Sequence, residues 1–373
     1  MDVDIEKLPP AARKVLAEDA PLPMRMMAAK GVLPGAKPAD VLSVVALLSQ
    51  RGTDDVRKVA NQTLEKLPPA ILDGALAADL EPFVVTTVAE RFGSNPSVVE
   101  RLLRQPRIPE TALFGLAEGA DERIGELIAT NETLLLAHPS VIEALYMNRR
   151  VRMSTADRIL ELAVRHKLEL SIPAYREAAQ AIMNELVPEA SEEPTFDDVL
   201  FREVEAAAES LRLQDTVDDD THERDDEGNE HLRDRFLPLH FAISQMTITQ
   251  KIRCAILGSA AERMLLVRDT NRLVAAAAAS SPQMTENDAA RVAACRNVSD
   301  EVLRIISQNR SFTRSYQVKL NLITNPKTPF TFTARMVPHL RDNDLRMLAK
   351  SKNVPAAVQT AARQQLIRKQ TKT

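Results

Sequence analysis

Apolar residues recur along this chain at helical spacing, in short runs separated by proline, asparagine or serine. In Asp40-Val41-Leu42-Ser43-Val44-Val45-Ala46-Leu47-Leu48, the residues Val41, Val44, Val45 and Leu48 fall at i, i+3, i+4 and i+7. That is one face of a helix, with Asp40 as its expected N-cap. The stretches 155–163 and 299–306 repeat the pattern, with Thr155 and Ser299 as expected N-caps. Most of the 22 prolines lie between such runs, as in Leu67-Pro68-Pro69 and His138-Pro139. Proline lacks an N–H that the first helical turn does not need, so here it opens helices and does not break them. Strand-like alternation is scarce. Phe330-Thr331-Phe332-Thr333 is its strongest example, and because it follows Pro329 in a helical context it is read as helix. The pattern predicts an all-α fold.

The punctuation is itself periodic. It falls at Ser281-Pro282, Asn297-Val298, Asn309-Arg310, Asn325-Pro326 and Asn353-Val354, and Ser281 to Asn309, Asn297 to Asn325 and Asn325 to Asn353 are each 28 residues. That is the length of two short helices with their turns. At an offset of 220 residues, Gln105-Pro106-Arg107-Ile108-Pro109 aligns with Asn325-Pro326-Lys327-Thr328-Pro329, and Leu127-Ile128-Ala129 with Met347-Leu348-Ala349. A pair of ten-residue helices cannot bury its apolar face alone, so neighbouring pairs must stack. The expected architecture is an α-solenoid of short antiparallel helix pairs with an extended concave surface.

Three phrases carry a family resemblance: Asn325-Pro326-Lys327-Thr328-Pro329, Ser94-Asn95-Pro96-Ser97 and Leu348-Ala349-Lys350-Ser351-Lys352-Asn353-Val354-Pro355. They resemble the Asn-Pro-x-Thr-Pro, helix, Leu-Ala, helix rhythm of bacterial leucine-rich-repeat-variant and HEAT-like α-solenoids. The resemblance covers residues 21–166 and 251–366, and the chain between them departs from any repeat pattern. It implies curved stacks of helix pairs that mostly act as interaction scaffolds, and it transfers no functional residue. The Ala and Arg richness fits a bacterial source.

Charge divides the chain where composition alone does not. Residues 1–188 carry 22 Lys+Arg against 26 Asp+Glu, residues 189–235 carry 5 against 18, and residues 236–373 carry 21 against 8. An overall charge of -4 therefore hides a middle of -13 and an end of +13. The expected organisation is an N-terminal helical array (1–188), an acidic connector (189–235) and a basic C-terminal array (236–373). Within the connector a helix is predicted over 197–213. The run 218–230 has almost no apolar residue to offset its ordering entropy and is expected to be a solvated loop.

The sequence carries little reactive chemistry. Only ten glycines occur, with no GxxxxGK[ST], no GxGxxG and no G-x-S-x-G elbow, so neither a cofactor nor a catalytic nucleophile is expected. His222, His231 and His240 are nine apart, two and a half helical turns, which places successive rings on opposite faces; no metal site is expected. Asp218-Asp219-Asp220 lacks the calcium-loop spacing. Cys254 and Cys295 are expected to pack in the core, with Arg253 and Arg296 pointing elsewhere, and Met24, Met26 and Met27 are expected to fill core gaps. With ten Phe, three Tyr and no Trp, the core must be aliphatic. The start, Met1-Asp2-Val3-Asp4-Ile5-Glu6, has no basic then apolar leader pattern and no apolar run reaches membrane-spanning length, so a cytoplasmic protein is expected.

The basic end is the one feature with a functional edge. Its cations include Arg253, Arg263 and Arg268, and the expected contacts to a polyanion or acidic partner are Arg304, Arg310, Arg314, Lys319, Lys327, Arg335, Arg341, Arg346, Lys350 and Lys352. Lined along a groove, such side chains would track an anionic chain. Trp is absent and Tyr316 is the only Tyr in that half, so base stacking is poorly provided. The expected function is a noncatalytic protein-protein interaction scaffold or adaptor in a cytoplasmic regulatory assembly, with nucleic-acid or other polyanion binding as the alternative. The opposite charges of middle and end also predict intramolecular docking of the acidic connector on the basic half.

Overall fold

The structure, a computed structural model, describes residues 10–17, 20–191, 193–214, 221–224 and 230–370. It is almost wholly helical, as the pattern predicts. The chain divides into two compact units, Met1–Leu170 and Ser171–Thr373, so the acidic segment 189–235 lies inside the second.

In the first unit the helices are α1 (Pro10–Leu16), α2 (Leu22–Ala29), α3 (Pro38–Arg51), α4 (Asp54–Glu65), α5 (Pro69–Leu76), α6 (Pro82–Phe92), α7 (Pro96–Leu102), α8 (Glu110–Gly119), α9 (Glu122–Ala129), α10 (Glu132–Ala137), α11 (Pro139–Met147) and α12 (Met153–Arg165). Six of them begin on proline, the role expected for Pro69 and Pro139. Asn95 caps one of these, α7, and Asp121 and Asn131 cap α9 and α10; they accept from the backbone N–H groups of Ser97, Ile124 and Leu134 at 3.1, 2.8 and 3.2 Å. Helix α3 packs on α5, α5 on α7, α7 on α9 and α9 on α12, while α6 packs on α8 and α8 on α11. Cross-links between the two successions are made by α6 with α7, α8 with α9 and α11 with α12. The core between them is aliphatic, with Leu113, Ile124, Ile128, Leu135, Ile142 and Leu145 fully enclosed.

At three places the fold departs from the local expectation. Pro38 takes the first position of α3, so the helix starts before Asp40, whose carboxylate instead accepts from the Lys37 N–H at 3.2 Å. Helix α12 likewise starts at Met153. Thr155 is then buried inside it and donates its hydroxyl to Glu126 Oε2 at 2.6 Å. Met24 and Met27 face outward, 42% and 52% exposed, because α2 uses the small Ala28 and Ala29 to meet its neighbours.

The second unit holds α13 (Tyr175–Ile182), α14 (Phe196–Gln214), a two-stranded ladder of β1 (His222–Arg224) and β2 (Glu230–Leu232), then α15 (Leu237–Ser244), α16 (Ile248–Leu257), α17 (Ala260–Leu266), α18 (Arg272–Ala279), α19 (Glu286–Ala294), α20 (Asp300–Gln308), α21 (Tyr316–Thr324), α22 (Phe330–Met336), α23 (Asp342–Lys350) and α24 (Ala356–Gln370). The helix expected over 197–213 is α14, and the tetrapeptide at 330–333 opens α22. The acidic run is not all loop: His222 pairs with Leu232 and Glu223 with His231, antiparallel. Its residues 218–220 and 225–229 lie outside the described residues. Alternate helices again pack on one another, α16 on α18, α18 on α20, α20 on α22 and α22 on α24, with α17 on α19 and α19 on α21.

Candidate interaction surface

Capping geometry fixes where the helix ends of the second unit fall. Ser259 and Thr285 start α17 and α19 in capping boxes closed by Glu262 and Asp288, and Ser299 starts α20 as expected, accepting from Val302 N–H at 3.3 Å. At the other end, Asn325 is both the C-cap of α21 and a buried clamp. Its amide nitrogen donates to the carbonyls of Ala293 and Cys295 at 2.9 and 2.7 Å, and its oxygen accepts from Lys327 N–H at 3.1 Å. The end of α19 is thereby tied to the end of α21 two helices on.

The same device occurs in the first unit. Asn148, at the end of α11, donates to Ala117 and Ala120 carbonyls at 2.9 and 2.8 Å and accepts from Arg150 N–H at 3.0 Å. Gln105 donates to Leu76 and Ala78 carbonyls at 2.9 and 3.1 Å and accepts from Leu80 N–H at 3.1 Å. Orphan C-terminal carbonyls of one helix are thus satisfied by an amide near the end of another. Gln105 and Asn325, aligned in sequence at an offset of 220, do the same work.

Of the ten cations expected at a binding surface, Lys319 is half-buried and the other nine are exposed. Arg304 pairs with Glu301, Lys327 donates to the Val298 carbonyl at 3.1 Å, and the Arg341 guanidinium lies 4.7 Å over the Tyr316 ring. Arg346 sits one turn from Asp342 and lowers its pKa, behind the larger effect of Lys369. Arg310, Arg314, Lys319, Arg335, Lys350 and Lys352 form no ion pair with any described residue. Arg253 and Arg263, counted with this basic set from sequence, are buried. The former lies 5.5 Å over the Phe201 ring, and the latter donates to the Gly258 carbonyl at 2.7 Å and faces Asp288 at 3.9 Å. An inward Arg is tolerated because fixed acceptors and an aromatic face replace its water.

The ends of α19, α21 and α23 frame a cleft of about 310 Å³. Ala294, Leu348 and Val354 give it apolar wall, Met347 stands half exposed at its edge, and Arg296, Asn321, Thr324, Asn325, Ser351 and Asn353 supply polar groups. None of the lining residues is acidic. Sequence reasoning placed Asn325 and Asn353 in a repeat rhythm and Arg296 beside a cysteine, but it named none of them as site residues.

A second cleft, of about 340 Å³, lies where the β-ladder meets α15–α17, lined among others by His222, His240, Lys251, Arg268 and Asp269. Lys251 pairs with Asp269 at 3.2 Å. Arg268 donates to Thr221 Oγ1 at 3.2 Å, to His222 Nδ1, and to Cys295 Sγ at 2.7 Å. Both cysteines are buried, as expected, but the cation beside Cys295 comes from Arg268 and not from its chain neighbour Arg296. The described part of the acidic segment therefore touches the basic half at Arg268 and, through Phe201 of α14, at Arg253. His231 is exposed on β2, and His240 is exposed within α15.

Among the described residues, no group of three or more His, Cys, Asp or Glu is placed to hold a metal ion, and no helix is long and apolar enough to cross a membrane. No protein-family model, curated protein or solved structure matches this chain.

Proposed function

We propose that the chain is a noncatalytic, cytoplasmic protein-protein interaction scaffold or adaptor whose helices stack as α-solenoid arrays, and that the basic C-terminal half, 236–373, presents the binding surface. One observation carries the reading: Arg296, an exposed cation with no ion pair to any described residue, lines an acid-free cleft whose lining residue Ser351 has the exposed Lys350 and Lys352 as its chain neighbours. The solenoid part is supported by the packing of alternate helices over much of the chain and by three amide clamps, at Gln105, Asn148 and Asn325, each tying one helix end to another. The resemblance to leucine-rich-repeat-variant and HEAT-like solenoids points the same way. On this account the acidic segment 189–235 is an element that docks on the basic half near Arg268.

The second reading, nucleic-acid or other polyanion binding through the basic half, is favoured by the same unpaired cations. It lacks stacking platforms: the chain has no Trp, and one face of Tyr316 is taken by Arg341. A pull-down from lysate of the source cell, with and without nuclease and at low and high salt, separates the two. The scaffold reading predicts specific proteins retained after nuclease. Recovery that disappears with nuclease and salt would replace it with the polyanion reading.

A further inference from the structure

We propose that the cleft at the ends of α19, α21 and α23 holds an extended acidic segment of a partner protein. The segment's carboxylates lie on Arg296, Lys350 and Lys352, an apolar side chain rests against Met347 and Val354, and its main chain meets the Asn353 amide. The inference rests on the scaffold reading and names its ligand class.

Charge selects the partner. Arg296 lines the cleft, Lys350 and Lys352 bracket the lining residue Ser351, and none of the three has a carboxylate in ion-pair reach among the described residues. At physiological salt, charges within about 8 Å of a site still act on it, and Arg296 in the cleft wall meets no counter-charge among the cleft's own lining residues. Size argues for a short stretch of chain: about 310 Å³ is at the lower end for a small-molecule site, and the cleft is open to solvent along Met347.

Hydrogen-bonding capacity argues for a backbone ligand. The Asn325 amide is spent on Ala293, Cys295 and Lys327. Asn353, by contrast, uses only its backbone N–H, on Ser351 Oγ at 3.3 Å, and its side-chain amide offers both a donor and an acceptor. An extended peptide presents the complementary pair at every residue, whereas a phosphate backbone presents acceptors only. The apolar wall of Ala294, Leu348 and Val354 has no use for a phosphate but suits an aliphatic side chain.

The test uses the full chain and a fluorescein-labelled peptide that repeats two glutamates and one leucine, read by fluorescence anisotropy. A glutamine analogue and an oligothymidine of equal charge serve as competitors. The expected result is saturable binding that the glutamine analogue does not compete. Arg296→Glu and Lys352→Glu should each weaken it about tenfold, and Arg310→Glu, the same charge change outside the cleft, less than about twofold. Asn353→Ala should weaken it without altering the salt dependence. Circular dichroism melts of each variant confirm folding, and Asn353→Ala alone decides the matter if a charge reversal fails to fold.

No binding at about 1 mM peptide in low salt, or equal weakening by Arg310→Glu and Arg296→Glu, overturns the proposal. Stronger binding of the oligothymidine with the same variant sensitivity also overturns it, and gives the cleft to a polyanion. The pull-down repeated with Arg296→Glu separates the two levels. Partners kept equally by parent and variant sink the cleft but leave the scaffold, and no nuclease-resistant partner on the parent sinks the scaffold itself.

Discussion

Asn325 shows how one residue turns a punctuation mark into a tertiary contact. The Asn-Pro signal was legible, and so was its recurrence at 28 residues, because helix ends need small polar side chains and prolines. What the sequence could not reveal is that the amide reaches back 30 residues or more to another helix's carbonyls, since that depends on which helices become neighbours. Replacing Asn325 with Ala leaves two buried carbonyls and the Lys327 N–H without their partner. Urea unfolding should show a loss of about 2–3 kcal/mol. Asn325→Asp removes both donors and buries a carboxylate against carbonyl oxygens, so its loss should be larger still. Midpoints within about 0.5 kcal/mol of the parent for both variants would show that the clamp is ornamental.

Helix existence was legible along most of the chain, whereas helix starts were less so. At α20 the Ser299 cap stands as read; at α3 and α12 an upstream proline or methionine moved the start and turned the expected caps into interior residues. Between elements, Tyr316 at the start of α21 clips the start of α23: its hydroxyl donates to Asp344 and accepts from the Arg341 N–H at 3.0 Å. Burial, and then the Asp344 carboxylate, push the Tyr316 hydroxyl above its ordinary 10.0, and burial pushes Tyr175 up as well. A raised acid is held neutral by the fold, so its contribution to stability is complete below pH 10.0 and lost as pH rises through the higher folded value. Tyrosinate absorbance should therefore show late-titrating components, one of which disappears in Tyr316→Phe. Simultaneous titration of every tyrosine at the ordinary value would refute the clip.

For the whole molecule, the charge asymmetry was plain in the sequence, but its placement was not. Helical periodicity tells which face of a helix is apolar, yet Arg253 and Arg263 sit among apolar neighbours and went inward, one onto Phe201 and one onto a helix C-terminus. Arg296 and Asn353 became cleft residues only because folding gathers the ends of α19, α21 and α23 around one cleft. The C-terminal half thus holds Arg253 and Arg263 inside with fixed partners, and leaves Arg296 in the wall of an acid-free cleft. A cleft so lined supports a surface kept for a partner. Placing the photo-cross-linker p-benzoylphenylalanine at position 347 in the source cell tests it most directly. The account predicts nuclease-resistant, protease-sensitive adducts that excess acidic peptide suppresses in lysate. Adducts absent from that position, or lost on nuclease treatment, would contradict it.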